Sequence, residues 1–364
     1  MNKKLTRRDF LKNTGILATG FLTISVTGCT DRKIKRPETL SIGHLPALCQ
    51  AWIVTKPARL VENHMGIQTQ WSMYNAGPAI VQAFAQNQIQ IGYLGVPPLM
   101  IGIDKGVPMK AVASTHVLGD QFIARKEDGY KDVYEMGGDE LATIRQFKGK
   151  KIGIPPRGSI EDAEVRDLVR RAGMKDGEDI FLVNYNTVPS LPDLLEEREI
   201  DAMVVWPPFN AVSLSRGNTE IIIDAQHLWW NAPCCCLAIH TDLTRDYPDF
   251  VREFVKIHVM ASRFIMMYPD VAADFASKEL KLDKKIIMTS FDLAPRYCAK
   301  ISEDYIQASE KFSRSLYESG YAKNILTREE IFDLRFINDV HPEKEEEGVG
   351  KVPKEEAVYK FVMG

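Results

Sequence analysis

Between Trp71 and Pro98 the chain reads WSMYNAGPAIVQAFAQNQIQIGYLGVPP, and this run restricts the fold more than any other. Trp71, Met73 and Tyr74 close a strand. Asn75, Ala76, Gly77 and Pro78 turn the chain, and Pro78 suits a helix start, where its missing N–H costs nothing. Ile80, Val81, Phe84 and Ala85 then recur at helical spacing until Asn87 stops the helix. Ile89, Ile91 and Tyr93 alternate with polar or small residues as a second strand, which Gly95, Val96, Pro97 and Pro98 end. A helix that opens at the carboxyl end of a strand points its free N–H groups and positive dipole end into the crevice where open α/β sheets take ligands. Gly95 allows close backbone approach there. A tight connection with no ligand accounts for Asn75–Pro78 equally well.

The rest of the chain repeats this alternation. Leu40–His44 is the first strand, followed by a loop to Gln50 and a helix carrying Trp52, Ile53, Val54 and Leu60. Thr69–Met73 and Met109–Thr115 are further strands, and Phe122–Arg125 reads as a strand leaving this lobe. After the strand ending at Ile154, Ser159 with Asp162 three residues on caps a helix from Ile160 to Arg171, ended by Gly173. Arg157 and the first N–H groups of that helix suit an anion, while Glu161 and Asp162 offset the dipole and read as caps. Strands at Phe181–Tyr185, Ile200–Val205, Ile221–Ile223 and Cys234–Ile239 follow, and from Tyr247 the chain is helical.

Four segments together resemble the nitrate/sulfonate/bicarbonate family of ABC-transporter substrate-binding proteins, with its taurine, aliphatic-sulfonate and thiamine-precursor-like members. They are Asn75–Pro78 before an Ala/Gln helix, Ile91–Pro98, Phe147–Ile154 and Pro233–Cys235. The resemblance is scattered over residues 39–335. It implies an α/β, two-lobed periplasmic-binding-protein fold of type II, the Venus flytrap. Residues 39–118 would begin lobe 1, 119–228 form lobe 2, 229–340 return to lobe 1, and 341–364 make a solvated charged tail. Crossovers near 116–122 and 224–233 would act as the hinge. The implied function is extracytoplasmic capture of a small polar or anionic solute for an ABC permease and ATPase, without enzymatic activity or cofactor. The cleft candidates are His44, Gln50, Asn75, Gly77, Gly95, Val96, Thr115, His116, Arg157, Gly158, Ser159 and Trp206. His44 reads equally as a strand-end cap and Trp206 equally as core. The family often carries a glutamate where this chain has Pro207, so recognition through that carboxylate is not expected. Two other readings stay open. One is an enzyme or metal-binding relative similar to fungal thiamine-pyrimidine synthases, whose cysteine motif the Cys234–Cys236 run resembles. The other is a periplasmic sensor lobe.

Residues 1–28 read as a targeting segment. Thr6-Arg7-Arg8-Asp9-Phe10-Leu11-Lys12 fits the twin-arginine export pattern. The apolar run Ile16–Val26 is too short to span a bilayer well. Val26-Thr27-Gly28-Cys29 reads as a lipobox with Cys29 acylated, residues 29–38 forming a tether. That places the protein on the outer face of the cytoplasmic membrane, held by lipid. An uncut anchor helix is the alternative. The formal net charge is −3; residues 1–28 hold five cations against one acid, +4, so the remaining chain carries −7. That balance argues against nucleic acid as partner. Without Cys29, five cysteines remain, and an odd count leaves one thiol unpaired. In a strand, Cys234 and Cys236 share a face and Cys235 points away. The run is expected to be small buried strand residues rather than metal ligands, since no spaced Cys/His partner set accompanies it.

Overall fold

The structure, a computed structural model, describes residues 38–294, 296–341 and 355–364. The export segment, the lipobox with Cys29, and the tether up to residue 37 lie outside the described residues. No helix of the described residues is long and apolar enough to cross a membrane.

The first sheet takes β1 (Thr39–His44), β2 (Gln68–Met73), β3 (Ile91–Gly95) and β4 (Met109–His116). The second takes β5 (Gln121–Arg125), β6 (Lys151–Ile154), β7 (Phe181–Asn184), β8 (Ala202–Val205) and β9 (Thr219–Ile223), and β10 (Cys235–His240) returns to the first. The orders are β2-β1-β3-β10-β4 and β7-β6-β8-β5-β9. In each sheet the strand that has crossed from the other lobe lies antiparallel to its neighbours: β10 to β3 and β4, β5 to β8 and β9. The other pairs are parallel. β3 and β8 are buried along their whole length, as strands covered on both faces must be. Gly92 makes this close cover possible, because a Cβ there would stand 2.6 Å from Phe84 Cε2 of the helix Gly77–Ala85.

Three expectations are corrected. The helix after the first loop is two short ones, Trp52–Thr55 and Leu60–Met65, because Arg59 between them adopts a left-handed backbone with φ 51°. The proline run after β3 ends the strand but also opens a helix, Val96–Asp104, with prolines in its first turn. The charged tail ends in a docked helix, Glu355–Met363. Its Val358 and Val362, four apart and so on one face, are buried against the first lobe, and Phe361 stacks on His64 at 3.8 Å.

One apolar core backs the first sheet, around Trp52, Phe254, Phe264 and Phe336. A second fills the other lobe, around Phe122, Phe147, Val165 and Leu168. A third runs between the sheets and includes Leu45, Ile160, Trp206, Cys234 and Cys235. The lobes therefore meet over a packed interface. Leu48 N–H donates across it to Pro207 O at 3.0 Å. The helix Glu303–Glu318 straps both lobes. Its Tyr305 hydroxyl donates to Cys235 O of the first at 3.0 Å, and Ser315 Oγ donates to Asp167 Oδ1 of the second at 2.9 Å. Glu318 adds an ion pair to Arg170 at 3.0 Å.

Candidate functional site

The cleft lies between the strand ends of the two sheets. Gly77 and Gly95 line it from the first lobe, Ser159, Glu161 and Trp206 from the second. It is closed: about 10 Å³ remains for the centre of a water molecule, near the least that one water requires. Ile160 closes it. Its side chain packs on Gly95, where a Cβ would stand 2.4 Å from Ile160 Cγ1.

Three thiols converge on the first-lobe wall. Cys49 comes from the loop after β1, held by Thr115 Oγ1 donating to Cys49 O at 2.7 Å and Tyr297 OH donating to Leu48 O at 2.5 Å. Cys234 and Cys235 come from the start of β10. Sγ of Cys235 lies 3.4 Å from that of Cys49 and 3.7 Å from that of Cys234. Strict alternation is broken here: Cys234 precedes the strand, and the pairing with β4 shifts register between Cys235 and Cys236. Only Cys236 keeps the expected place of a small strand residue, its thiol on Leu94 O at 3.5 Å. The S–H groups of Cys234 and Cys49, then the Gln50 amide and nearby His116, hold the Cys235 thiol well below its ordinary value. Donating to Cys235 raises Cys234.

Three carboxyl groups converge from the other side. Asp120 comes from the first crossover, Glu161 and Glu164 from the helix Ile160–Arg171, and all are buried. Glu161 was expected to cap its helix. Ser159 Oγ caps the helix as expected, accepting from Asp162 N–H at 3.2 Å, whereas the Glu161 side chain lines the cleft. No donor from elsewhere in the described residues reaches the carboxyl oxygens of Asp120, Glu161 or Glu164. Burial pushes Asp120 up to about 7, opposed by a hydrogen bond from Glu161. Burial, then the charge of Asp120, raises Glu161 well above the carboxylate range, and the same two causes raise Glu164. Trp206 Nε1 is also buried without an acceptor.

His116 completes the group. Its Nε2 meets Ala294 O at 2.7 Å. A carbonyl only accepts, so Nε2 carries the hydrogen. Burial lowers the imidazole's pKa, and Nδ1 has no hydrogen-bond partner among the described residues.

The sequence candidates divide sharply. Gly77, Gly95, Ser159 and Trp206 line the closed cleft. Gln50 and Thr115 position Cys49 and Cys235: the Gln50 amide spans Leu45 N–H, Tyr93 O and Cys235 Sγ. Val96 N–H donates to Cys234 O at 3.3 Å. His44 is the strand-end cap, with Nδ1 on Leu45 O at 3.0 Å and its ring on Trp52 at 4.0 Å, and burial lowers it to about 4. Asn75 is exposed, and the helix cap is Ala76 rather than Asn75. Arg157 and Gly158 line a separate outer groove of about 370 Å³, where the exposed guanidinium lies 5.1 Å from the Tyr321 ring. Of the two strand-end turns, Gly77 and Ser159 meet in the cleft while Asn75 and Arg157 do not line it. The sequence reading passed over Cys49, Asp120, Glu161 and Glu164 as functional. Glu161 and Glu164, three apart at the end of a strand-to-helix turn, were the one local signal available.

The model of the NMT1-like family matches residues 34–278. A Bacillus subtilis (strain 168) protein named for binding aliphatic sulfonates is 20% identical over 75% of this chain and 78% of its own length. The alkanesulfonate-binding protein SsuA from Xanthomonas axonopodis pv. citri, solved bound to MOPS, superposes with a TM-score of 0.70 at 15% identity, over 82% of this chain and 99% of that one. The desulfurization enzyme DSZB superposes with a TM-score of 0.61 at 14% identity, over 84% and 99%. Identities this low show a shared fold, and that fold carries both binding proteins and an enzyme.

Proposed function

Because the chain belongs to the NMT1-like family and has the two-lobed fold of periplasmic binding proteins, we propose that it is an exported solute-binding protein of an ABC importer. It closes its lobes over a small polar or anionic solute of the nitrate/sulfonate/bicarbonate class and delivers that solute to a membrane permease. Lipid at Cys29 keeps it beside that permease. One observation carries the reading. The interlobe cleft is lined by Trp206 and Glu161, whose Nε1 and carboxyl oxygens are buried with no hydrogen-bond partner among the described residues, and the same holds for the carboxyl oxygens of Asp120 and Glu164. Buried polar groups are normally satisfied, and a solute with both accepting and donating atoms, such as taurine with its sulfonate and ammonium, satisfies these where nitrate, which has no donor, does not.

Entry requires the lobes to part at the crossovers 117–120 and 224–234, withdrawing Ile160 from Gly95. Thermal-shift screening of the purified protein against alkanesulfonates, taurine, nitrate, bicarbonate and pyrimidine thiamine precursors tests the proposal. A solute at a hundred times its Kd adds about 2.7 kcal/mol. That gain should vanish in Trp206→Phe and Glu161→Gln while the unliganded melting point holds. A solute that stabilises both variants as much as the wild type places binding outside this cleft.

A further inference from the structure

The closed cleft is built from electron-pair donors. Cys49, Cys234 and Cys235 line it with Glu161, and none of the residues lining the space is a lysine or arginine. The three sulfurs lie within 4.8 Å of one another, and all three residues are buried. On a tetrahedral ion with metal–sulfur bonds of about 2.3 Å, two sulfurs stand about 3.8 Å apart. The observed 3.4 and 3.7 Å separations need only a small adjustment to meet that. We infer that Cys49, Cys234 and Cys235 form a binding site for a thiophilic metal ion of the zinc(II) or copper(I) kind, with His116 Nδ1 as its fourth donor.

His116 supplies an independent observation. Its ring is fixed by the Nε2 hydrogen bond to Ala294 O, the arrangement that commonly orients a metal-binding histidine. Its Nδ1 lies near Cys234 but not within 4.8 Å of all three sulfurs, so ligation requires the ring to shift toward them. A Cβ on Gly119 would stand 3.0 Å from Cys234 Sγ and 3.4 Å from His116 Nδ1. The backbones are also in register, Cys235 pairing with His116. Soft sulfur ligands with one imidazole select zinc or copper(I) over magnesium or calcium. As the ion binds, the thiols of Cys49, Cys234 and Cys235 release their protons to solvent, so that with zinc(II) and a neutral imidazole the site carries one net negative charge. The partner set that the sequence did not show is thus assembled in space, and the cysteine run does more than fill a strand.

The site goes beyond the solute-binding reading and is tested without any solute. Reduced full-length protein is titrated with zinc(II) and, for a spectroscopic signal, cobalt(II). One equivalent should bind, and the cobalt form should show a thiolate-to-metal charge-transfer band. Cys49→Ser and Cys235→Ser should each lose the band and weaken zinc binding by roughly 100-fold, and His116→Gln by about 10-fold. Cys236→Ser removes a thiol from the same strand but not from the cluster, and should bind as the wild type does. Three outcomes overturn the inference: no stoichiometric metal, equal loss in Cys236→Ser, or a Cys49–Cys235 disulfide in protein isolated from the exported fraction. A protein that binds solute but not metal refutes this inference alone. One that binds metal but no solute refutes only the proposed function.

Discussion

Ile160 stands in the space that a side chain on Gly95 would fill, 2.4 Å from the position of its Cβ. The two residues belong to opposite lobes, so closure depends on the absence of that side chain. The backbone at Gly95 is ordinary, φ −69° and ψ 153°, and accepts alanine without strain. Overpacking of this kind costs about 1–3 kcal/mol, and here the cost falls on the closed state. Gly95→Ala should therefore raise the radius of gyration in solution scattering and weaken solute binding roughly 5- to 150-fold. Adding Ile160→Ala should restore the compact form. Scattering identical to wild type in the single variant would remove this contact from the account of closure.

Acid should destabilise the protein through buried histidines. His258 donates from Nε2 to Ser114 O, sits beside the Tyr93 ring, and is held at about 4 by burial. The unfolded chain takes up its proton near 6.5. Between those values the unfolded state binds more protons, so stability falls as pH falls. The loss amounts to about 3 kcal/mol at 1.36 kcal/mol per unit. Melting temperature should drop between pH 6.5 and 4, and less steeply in His258→Gln.

Asp120 acts with the opposite sign. Its folded pKa is raised to about 7, so between the ordinary aspartate value and 7 the folded state binds the extra proton. Stability falls as pH rises through that window. Asp120→Asn should stabilise the protein at pH 8, by up to about 4 kcal/mol on the same scale, and so raise its melting temperature. The advantage should disappear below pH 4. An equal effect at both pH values would point to packing rather than charge.

Lipidation is tested by fractionation. Cys29→Ala should move the protein from washed membranes to the soluble exported fraction. Retention in membranes after a high-salt wash would mean that another anchor holds it.

Local patterning made the sheets legible: period-two runs such as Ile89–Tyr93 and turn residues such as Gly77 mark strands and crossovers without knowledge of the fold. The ends of those strands were legible as a crevice for the same reason. Which side chains enter the crevice was not. Asn75 and Arg157 occupy strand-end turns yet point elsewhere, since rotamer and register decide the matter after the chain has packed. Cys235 meets Cys49 and pairs with His116 only because β10 inserts antiparallel between β3 and β4, a pairing across more than a hundred residues. Glu161 looked like an ordinary first-turn acid because first-turn acids usually serve the helix dipole.

The helix Glu303–Glu318 holds the first lobe through Tyr305 on Cys235 O and the second through Ser315 and Glu318, whose partners Asp167 and Arg170 do not line the cleft. Selectivity and residence time can then be set by different residues. Chemistry within the cleft decides which solute is accepted, while the strength of the strap decides how long the lobes stay shut. Substitutions at Ser315 or Glu318 are free to retune release for a faster or slower permease and leave the choice of cargo untouched.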